Sequence, residues 1–268
     1  MENSTIRQRY GRWALVAGAS EGLGAAFARS AASRGLDVIL VARRATTLAE
    51  VATQMRADYA VQTREIVADL GDPNATKRIA DATSALEVGM LICNAASEPQ
   101  GAFLDVPLAA HLEAIDVNCR ATLALAHHFG GLMAQRQRGS LVVVTSLGGL
   151  CGLPVFASYG ASKAFGWNLG EALWAELAER GVDALSYVVG STRTPNLERS
   201  GAPEEHLAAA VSPEGVAEAL FEGLGRGPTR YASADVEAAA EGLFGLSREE
   251  AVRALGKANR DTFLQSEP

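Results

Sequence analysis

The chain has 268 residues, with 24 Lys+Arg against 31 Asp+Glu, so its formal net charge is −7. It is 48% hydrophobic and 21% charged, which excludes a disordered chain. The acidic balance argues against a broad nucleic-acid-binding face or a polybasic membrane patch, since both need clustered cations. The three cysteines, Cys93, Cys119 and Cys151, are odd in number and lack zinc-type spacing. Buried thiols in a reducing compartment are expected rather than a disulfide framework or a metal site. The first ten residues are polar, and no run approaches the ~18 apolar residues of a spanning helix. A cytoplasmic protein without membrane contact is the expectation.

Trp13–Ala17 reads as a short apolar strand that runs into a glycine-rich turn. Ala25–Arg34 follows as a helix of small residues, closed at Gly35. Val38–Val41 is a second buried strand, Thr47–Tyr59 a helix and Thr63–Ala68 a third strand. Asp72-Pro73 reads as the cap and first turn of a helix. A fourth strand is predicted at Gly89–Cys93 and one unbroken helix over Pro107–Gln137. A β-branched strand, Leu141–Thr145, precedes a second long helix, Phe156–Arg180, and a sixth strand, Ala184–Val189. Residues 195–211 are polar and Ala-rich and predict a flap over the substrate site. Ser212-Pro213-Glu214 starts a helix, Thr229–Ser233 is a last short strand, and Ser247-x-x-Glu250 is a capping box that opens a helical tail over 246–268. Strands that are apolar throughout and alternate with helices indicate a parallel sheet covered on both faces. The expected fold is one α/β domain over 1–268, a doubly wound, Rossmann-like parallel sheet with helices on both faces.

The first strand leads straight into Gly18-Ala19-Ser20-Glu21-Gly22-Leu23-Gly24 and then a helix. Glycines let backbone N–H groups approach a pyrophosphate, and the helix N-terminus adds a positive partial charge. Strand, turn and helix in that order is the context a dinucleotide site requires. Such sites place an acidic residue at the end of the second strand to hold the ribose hydroxyls. Here that strand ends in Arg43-Arg44, and two guanidinium groups suit a 2′-phosphate. NADP(H) is therefore expected over NAD(H). A solvated arginine pair at a helix start is the plain alternative.

Tyr159 and Lys163 are four residues apart, so on a helix they share one face. A free phenol, with a pKa near ~10, is a poor base at neutral pH. A neighbouring ammonium favours phenolate, which would make Tyr159 a general acid/base for an alcohol or ketone. Ser146 follows the β-branched strand at the sheet's carboxyl edge, where its hydroxyl can reach a substrate oxygen.

Gly18-x-x-x-Gly22-x-Gly24, Asn94-Ala95, Asn118, Ser146 and Tyr159-x-x-x-Lys163 occur in this order, each at the matching element. The combination resembles the short-chain dehydrogenase/reductase family from about Trp13 to Pro195. The resemblance implies catalysis by Asn118, Ser146, Tyr159 and Lys163. Tyr159 would exchange the proton and contact the cofactor, and Ser146 would orient the carbonyl. Lys163 would hold the nicotinamide ribose and lower the tyrosine pKa, and Asn118 would hold a water in a proton relay. It also implies that Gly18, Ser20, Glu21, Gly22, Leu23 and Gly24 form the phosphate turn. Asp69 and Leu70 would meet the adenine, and Asn94, Ala95 and Ala96 would line the cofactor. Gly190, Thr192 and Thr194 would belong to the carboxamide loop. Cys93, Ala96, Ala17 and Val189 depart from the family pattern without removing a reacting group, and Glu21 stands where many NADP enzymes carry a cation. Tyr10-Gly11-x-Trp13, Glu21, Arg43-Arg44 and Gly190–Pro195 are similar to microbial hydroxysteroid dehydrogenases, especially the NADP-dependent 7β type.

The resulting expectation is an NADP(H)-dependent oxidoreductase that interconverts a secondary alcohol and a ketone on a bulky apolar substrate such as a hydroxysteroid. Phe103, Leu150, Pro154, Val155 and Leu197 are its expected apolar walls. A carrier-linked 3-oxoacyl reductase and a non-catalytic NADP-sensing protein are the alternatives. A nucleophile elbow is absent, because Val144 stands where its first glycine belongs. His127-His128 lack the spacing of a helical zinc pair, so no metal is expected. Trp167 and Trp174 are expected at a helix–helix seam of a homodimer or homotetramer.

Overall fold

A computed structural model describes residues 3–264, with backbone alone for residues 3–5. Residues 1–2 and 265–268, the ends of the expected domain and tail, lie outside the described residues. A short helix, α1 (Asn3–Tyr10), precedes the first strand. The strands are β1 (Trp13–Ala17), β2 (Asp37–Ala42), β3 (Thr63–Val67), β4 (Val88–Cys93), β5 (Gly139–Ser146), β6 (Val182–Val189) and β7 (Thr229–Tyr231). They form one parallel sheet in the order β3-β2-β1-β4-β5-β6-β7. The order reverses between β1 and β4, and the crevice beyond that switch point is where such sheets bind ligands.

Adjacent residues of each central strand serve opposite faces, as the two-residue pleat demands. Val16, Leu40, Ile92 and Val142 join one buried cluster with Phe27 and Tyr187. Leu15, Ile39, Leu91 and Leu141 join the other with Phe129 and Met133. Helices α2 (Gly22–Ser33), α3 (Ala45–Tyr59) and a later α10 (Pro213–Glu222) supply the first face. The second is covered by α4 (Ala75–Thr83), α6 (Thr122–Gln135) and α7 (Ala157–Ala178). Gly35 takes φ +79°, and its N–H bonds the Ala32 carbonyl at 2.9 Å, so the left-handed cap stands where glycine allows it.

Two expectations need correction. The Pro107–Gln137 helix is continuous in path but not in winding: α5 (Leu108–Ala114) and α6 flank a π-helical stretch, Ile115–Ala121. That wider turn holds Asn118, and π stretches inside α-helices recur at functional sites. Asp72 does not cap α4, whose N-cap is Asn74. Instead Asp72 accepts the Asn74 N–H at 2.8 Å and pairs with Arg78 at 2.8 Å, bracing the turn two residues earlier.

The flap region folds as two short helices, α8 (Pro195–Arg199) and α9 (Glu204–Ala209), tied back by a Thr192–Val211 bridge. Beyond β7 lie α11 (Ala234–Phe244) and α12 (Arg248–Phe263), the latter opened by the expected Ser247/Glu250 capping box. Among the described residues no helix is long and apolar enough to cross a membrane.

Candidate active site

At the end of β1 the chain enters the glycine turn with Gly18 at φ +87°. A Cβ on Gly18 would lie 2.7 Å from Ala95 Cα, and one on Gly24 would lie 1.8 Å from the Gly18 carbonyl oxygen. Asn94 Nδ2 donates to that carbonyl at 3.1 Å. The turn therefore closes onto the end of β4 only because side chains are missing there. Above it is a hollow of about 600 Å³. Its floor is the turn from Gly18 through Ser20, Glu21, Gly22, Leu23 and Gly24. Its sides are Asp69 and Leu70 after β3, and Asn94, Ala95 and Ala96 after β4. Arg43 and Arg44 stand at its far end, 64% and 51% exposed.

Each of those arginines has a carboxylate partner. Arg43 Nη1 meets Glu113 at 3.2 Å, and Arg44 Nη2 meets Glu21 at 2.8 Å and donates to Ser20 Oγ at 3.3 Å. The Glu21 side chain makes no cap bond to α2. A backbone cradle that a Cβ would fill, a helix N-terminus and two cations at one end fit a phosphorylated dinucleotide.

Tyr159 and Ser146 meet where this hollow reaches the sheet. Ser146 ends β5, accepts the Gly148 N–H at 3.2 Å and faces the same space as Tyr159, in the first turn of α7. Tyr159 is partly open to the cleft, yet burial around its hydroxyl pushes its pKa well up. The nearby Glu98 charge raises it further, and the polar Ser146 hydroxyl opposes. Lys163, one turn along, has its Nζ 5.5 Å from the Tyr159 ring centroid and donates to the Val144 carbonyl at 3.1 Å. Burial brings its pKa down to about 8, against upward pulls from Glu98 and Cys119. The expected lowering of the phenol by Lys163 is not what governs here, since desolvation dominates.

The Asn118 side chain sits between the loop after β4 and α7. Its Oδ1 accepts the Ser97 N–H at 2.7 Å, and its Nδ2 donates to the Ser97 carbonyl at 2.9 Å and to Ser162 Oγ at 2.8 Å. These bonds pin the loop after β4 to α7.

A second hollow, about 420 Å³, adjoins the first and shares Tyr159, Leu23, Thr194 and Glu98 with it. Ser146, Gly190 and Thr192 open onto this side. Its apolar walls are Phe156, Val189, Leu197 and Phe263. Of the walls expected, Leu197 is in place, while Phe103 stacks on His111 at 4.7 Å and Leu150 packs with Trp167 and Val236. Phe263 comes from α12 and meets Phe156 edge-on at 5.1 Å. Asn259 Nδ2 and Arg248 Nη1 hold α12 down by donating to the Pro154 and Leu150 carbonyls at 3.0 and 2.7 Å. Trp167 is not at an outer seam: it is buried, packs on Tyr231 and donates to Glu171 and Thr229.

Sequence reasoning missed Glu98, Arg199 and Phe263. Glu98 follows β4 and accepts from Asn196 Nδ2 at 3.1 Å, and desolvation pushes its carboxyl up. Arg199 reaches from α8 to Glu21 at 2.5 Å. Both come from irregular or very short segments, where hydrophobic periodicity carries no signal.

The family profile described as short chain dehydrogenase matches residues 12–205. A 7beta-hydroxysteroid dehydrogenase of Clostridium sardiniense is 36% identical over 222 residues, which is 82% of this chain and 85% of that protein. A solved structure from work on 7beta-hydroxysteroid dehydrogenase stereoselectivity superposes with TM-score 0.88 at 31% identity, covering 94% of this chain and 99% of that one. A short-chain dehydrogenase from Sphingobium yanoikuyae in complex with NADPH superposes with TM-score 0.79 at 26% identity, covering 91% and 95% of the two chains.

Proposed function

The chain belongs to the short-chain dehydrogenase family, and from that premise we propose that it interconverts a secondary alcohol and a ketone on a hydroxysteroid-like substrate with NADP(H). The observation that carries this reading is the position of Tyr159, which lines both a phosphate-cradling hollow and an apolar one, with Ser146 lining the second beside it. The geometry brings an acid/base group to the boundary between cofactor and substrate space.

NADP(H) supplies or accepts the hydride when bound. The amides of the Gly18–Gly24 turn would hold its pyrophosphate, and Arg43 and Arg44 would hold its 2′-phosphate. Asp69 and Leu70 would flank the adenine. Asn94, Ala95 and Ala96 would line the cofactor, Lys163 would hold the nicotinamide ribose, and Gly190, Thr192 and Thr194 would meet the carboxamide. Ser146 Oγ hydrogen-bonds the substrate oxygen and keeps it beside Tyr159 Oη. In the reducing direction, Tyr159 Oη gives its proton to that oxygen as the alcohol forms, and in the oxidising direction it takes the proton back. The raised phenol pKa keeps Tyr159 protonated at neutral pH, which is the form reduction needs. Asn118 fixes the loop after β4 through Ser97.

Phe156, Leu197 and Phe263 suit a bulky apolar ring system better than a small polar ketone. Residues 195–211 would act as the flap over this side, and the described part of the tail, 246–264, would wall it through Asn259 and Phe263, within a single catalytic domain. A homodimer or homotetramer is favoured by exposed apolar side chains along the helices of one face, among them Leu112, Leu123 and Phe165. Incubating the pure protein with NADP⁺ and a panel of hydroxysteroids, followed by absorbance, tests the reading.

A further inference from the structure

Glu21 presents an electrostatic puzzle. Its carboxylate lines the hollow that suits a phosphorylated dinucleotide, beside the two arginines assigned to the 2′-phosphate. An uncompensated carboxylate there would repel an incoming phosphate.

The flap answers it. Arg199, the last residue of α8, places Nη2 at 2.5 Å and Nη1 at 3.4 Å from the two Glu21 oxygens. Arg44 approaches the same carboxylate from just beyond the end of β2, at 2.8 Å. One carboxylate thus serves two guanidinium groups, whereas Arg43 has Glu113 to itself. The approach of α8 is supported at two further points. Thr194, its N-cap, packs where a Cβ on Gly22 would lie 3.1 Å from Thr194 Cβ. Asn196 donates to Glu98 at 3.1 Å. The flap therefore touches the glycine turn and the loop after β4 together.

We infer that Arg199 is a further cofactor-recognition residue: carried on the flap, it neutralises Glu21 so that Arg44 is released to the 2′-phosphate, and 2′-phosphate binding in turn holds the flap down. The inference rests on the NADP(H) reading above. Glu21 keeps a cation whichever way Arg44 turns, so it is never left unpaired beside the phosphate. With Arg44 withdrawn, Glu21 bonds Arg199 alone, and the flap contact tightens. NAD(H), lacking that phosphate, leaves Arg44 on Glu21 and the flap contact shared. This linkage makes the flap sense which nucleotide is bound, and it accounts for an acidic residue in an NADP-type turn.

The test is nucleotide binding by protein fluorescence, with the intact chain and no substrate present. Arg199→Ala should weaken NADP⁺ binding roughly five- to twentyfold and NAD⁺ less than about twofold, the scale of one charge–charge contact near a surface. Glu21→Gln in the Arg199→Ala background should restore most of the NADP⁺ affinity, because the repelling charge is gone. Glu21→Gln alone should keep NADP⁺ affinity or raise it, which makes the test independent of how well Arg199→Ala folds. Limited proteolysis within 195–211 should be slowed more by NADP⁺ than by NAD⁺ in the parent protein, and equally by both in Arg199→Ala. Equal loss of both nucleotides in Arg199→Ala, no recovery in the double variant, or selective NADP⁺ loss in Glu21→Gln would overturn the inference. A parent protein that binds neither nucleotide would instead overturn the functional reading on which it rests.

Discussion

The ammonium of Lys163 lies 5.5 Å from the centroid of the Tyr159 ring and is held by the Val144 carbonyl of β5. The pair is thus fixed to the sheet by its lysine. Removing the phenolic hydroxyl leaves that scaffold standing. Tyr159→Phe should therefore lower turnover by about 10²–10⁴-fold, the usual share of a positioned acid/base. NADPH affinity, measured by fluorescence titration, should stay within about twofold, because the phosphate and adenine contacts lie elsewhere. Near-parent activity in this variant would remove Tyr159 from the reaction.

Glu98 raises the pKa of both Tyr159 and Lys163 through its charge. Glu98→Gln removes that influence, so both values should fall. Oxidation needs the phenolate and rises with pH, whereas reduction needs the phenol and falls at high pH. In Glu98→Gln both limbs should move to lower pH, as read from profiles of kcat/KM in the two directions. A shift to higher pH would contradict the stated electrostatics.

Arg43 and Arg44 face the hollow with their guanidinium groups more than half exposed. Replacing both by Ala should weaken NADPH roughly 10–100-fold more than NADH, since charge-assisted contacts to phosphate are lost from one nucleotide only. Comparable losses for both nucleotides would contradict the phosphate assignment.

Phe263 closes the substrate hollow from the end of α12, edge-on to Phe156. Phe263→Ala should raise KM for a bulky ring substrate with a smaller effect on kcat. A loss of about 1–2 kcal/mol of apolar contact corresponds to roughly a five- to thirtyfold change. A kcat loss at constant KM would place Phe263 in the chemistry instead.

The Asn118 side chain supplies partners to Ser97 and Ser162 inside the fold. Asn118→Ala leaves those groups short of partners and should cost roughly 1–3 kcal/mol of stability by denaturant unfolding. The nucleotide affinity of the folded fraction should also fall, because Ser97 follows the loop residues that line the hollow.

The parts of this site that are legible in the sequence are those with a local signature. Gly18–Gly24 is readable because a strand must turn tightly into a helix there, and Tyr159 and Lys163 are readable because helical spacing puts them on one face. Ser146 follows from its place after a β-branched strand. The π stretch around Asn118 is not legible, since its residues are as helical in pattern as their neighbours and only the width of the turn differs. Trp167 illustrates the converse error. Its spacing from Trp174 suits an outer seam, but tertiary packing against Tyr231 and a hydrogen bond to Thr229 draw it inward. Glu98, Arg199 and Phe263 reach the cleft from a loop, a five-residue helix and a helix end, so only the assembled fold reveals them.

The central claim is tested most directly by NADP⁺ reduction with a panel of hydroxysteroids that includes 7β- and 17β-alcohols, NAD⁺ being run in parallel. Turnover of one steroid position with NADP⁺ preferred over NAD⁺ is the predicted result. Protein that binds NADPH but oxidises no member of the panel, and reduces none of the corresponding ketones, would contradict it.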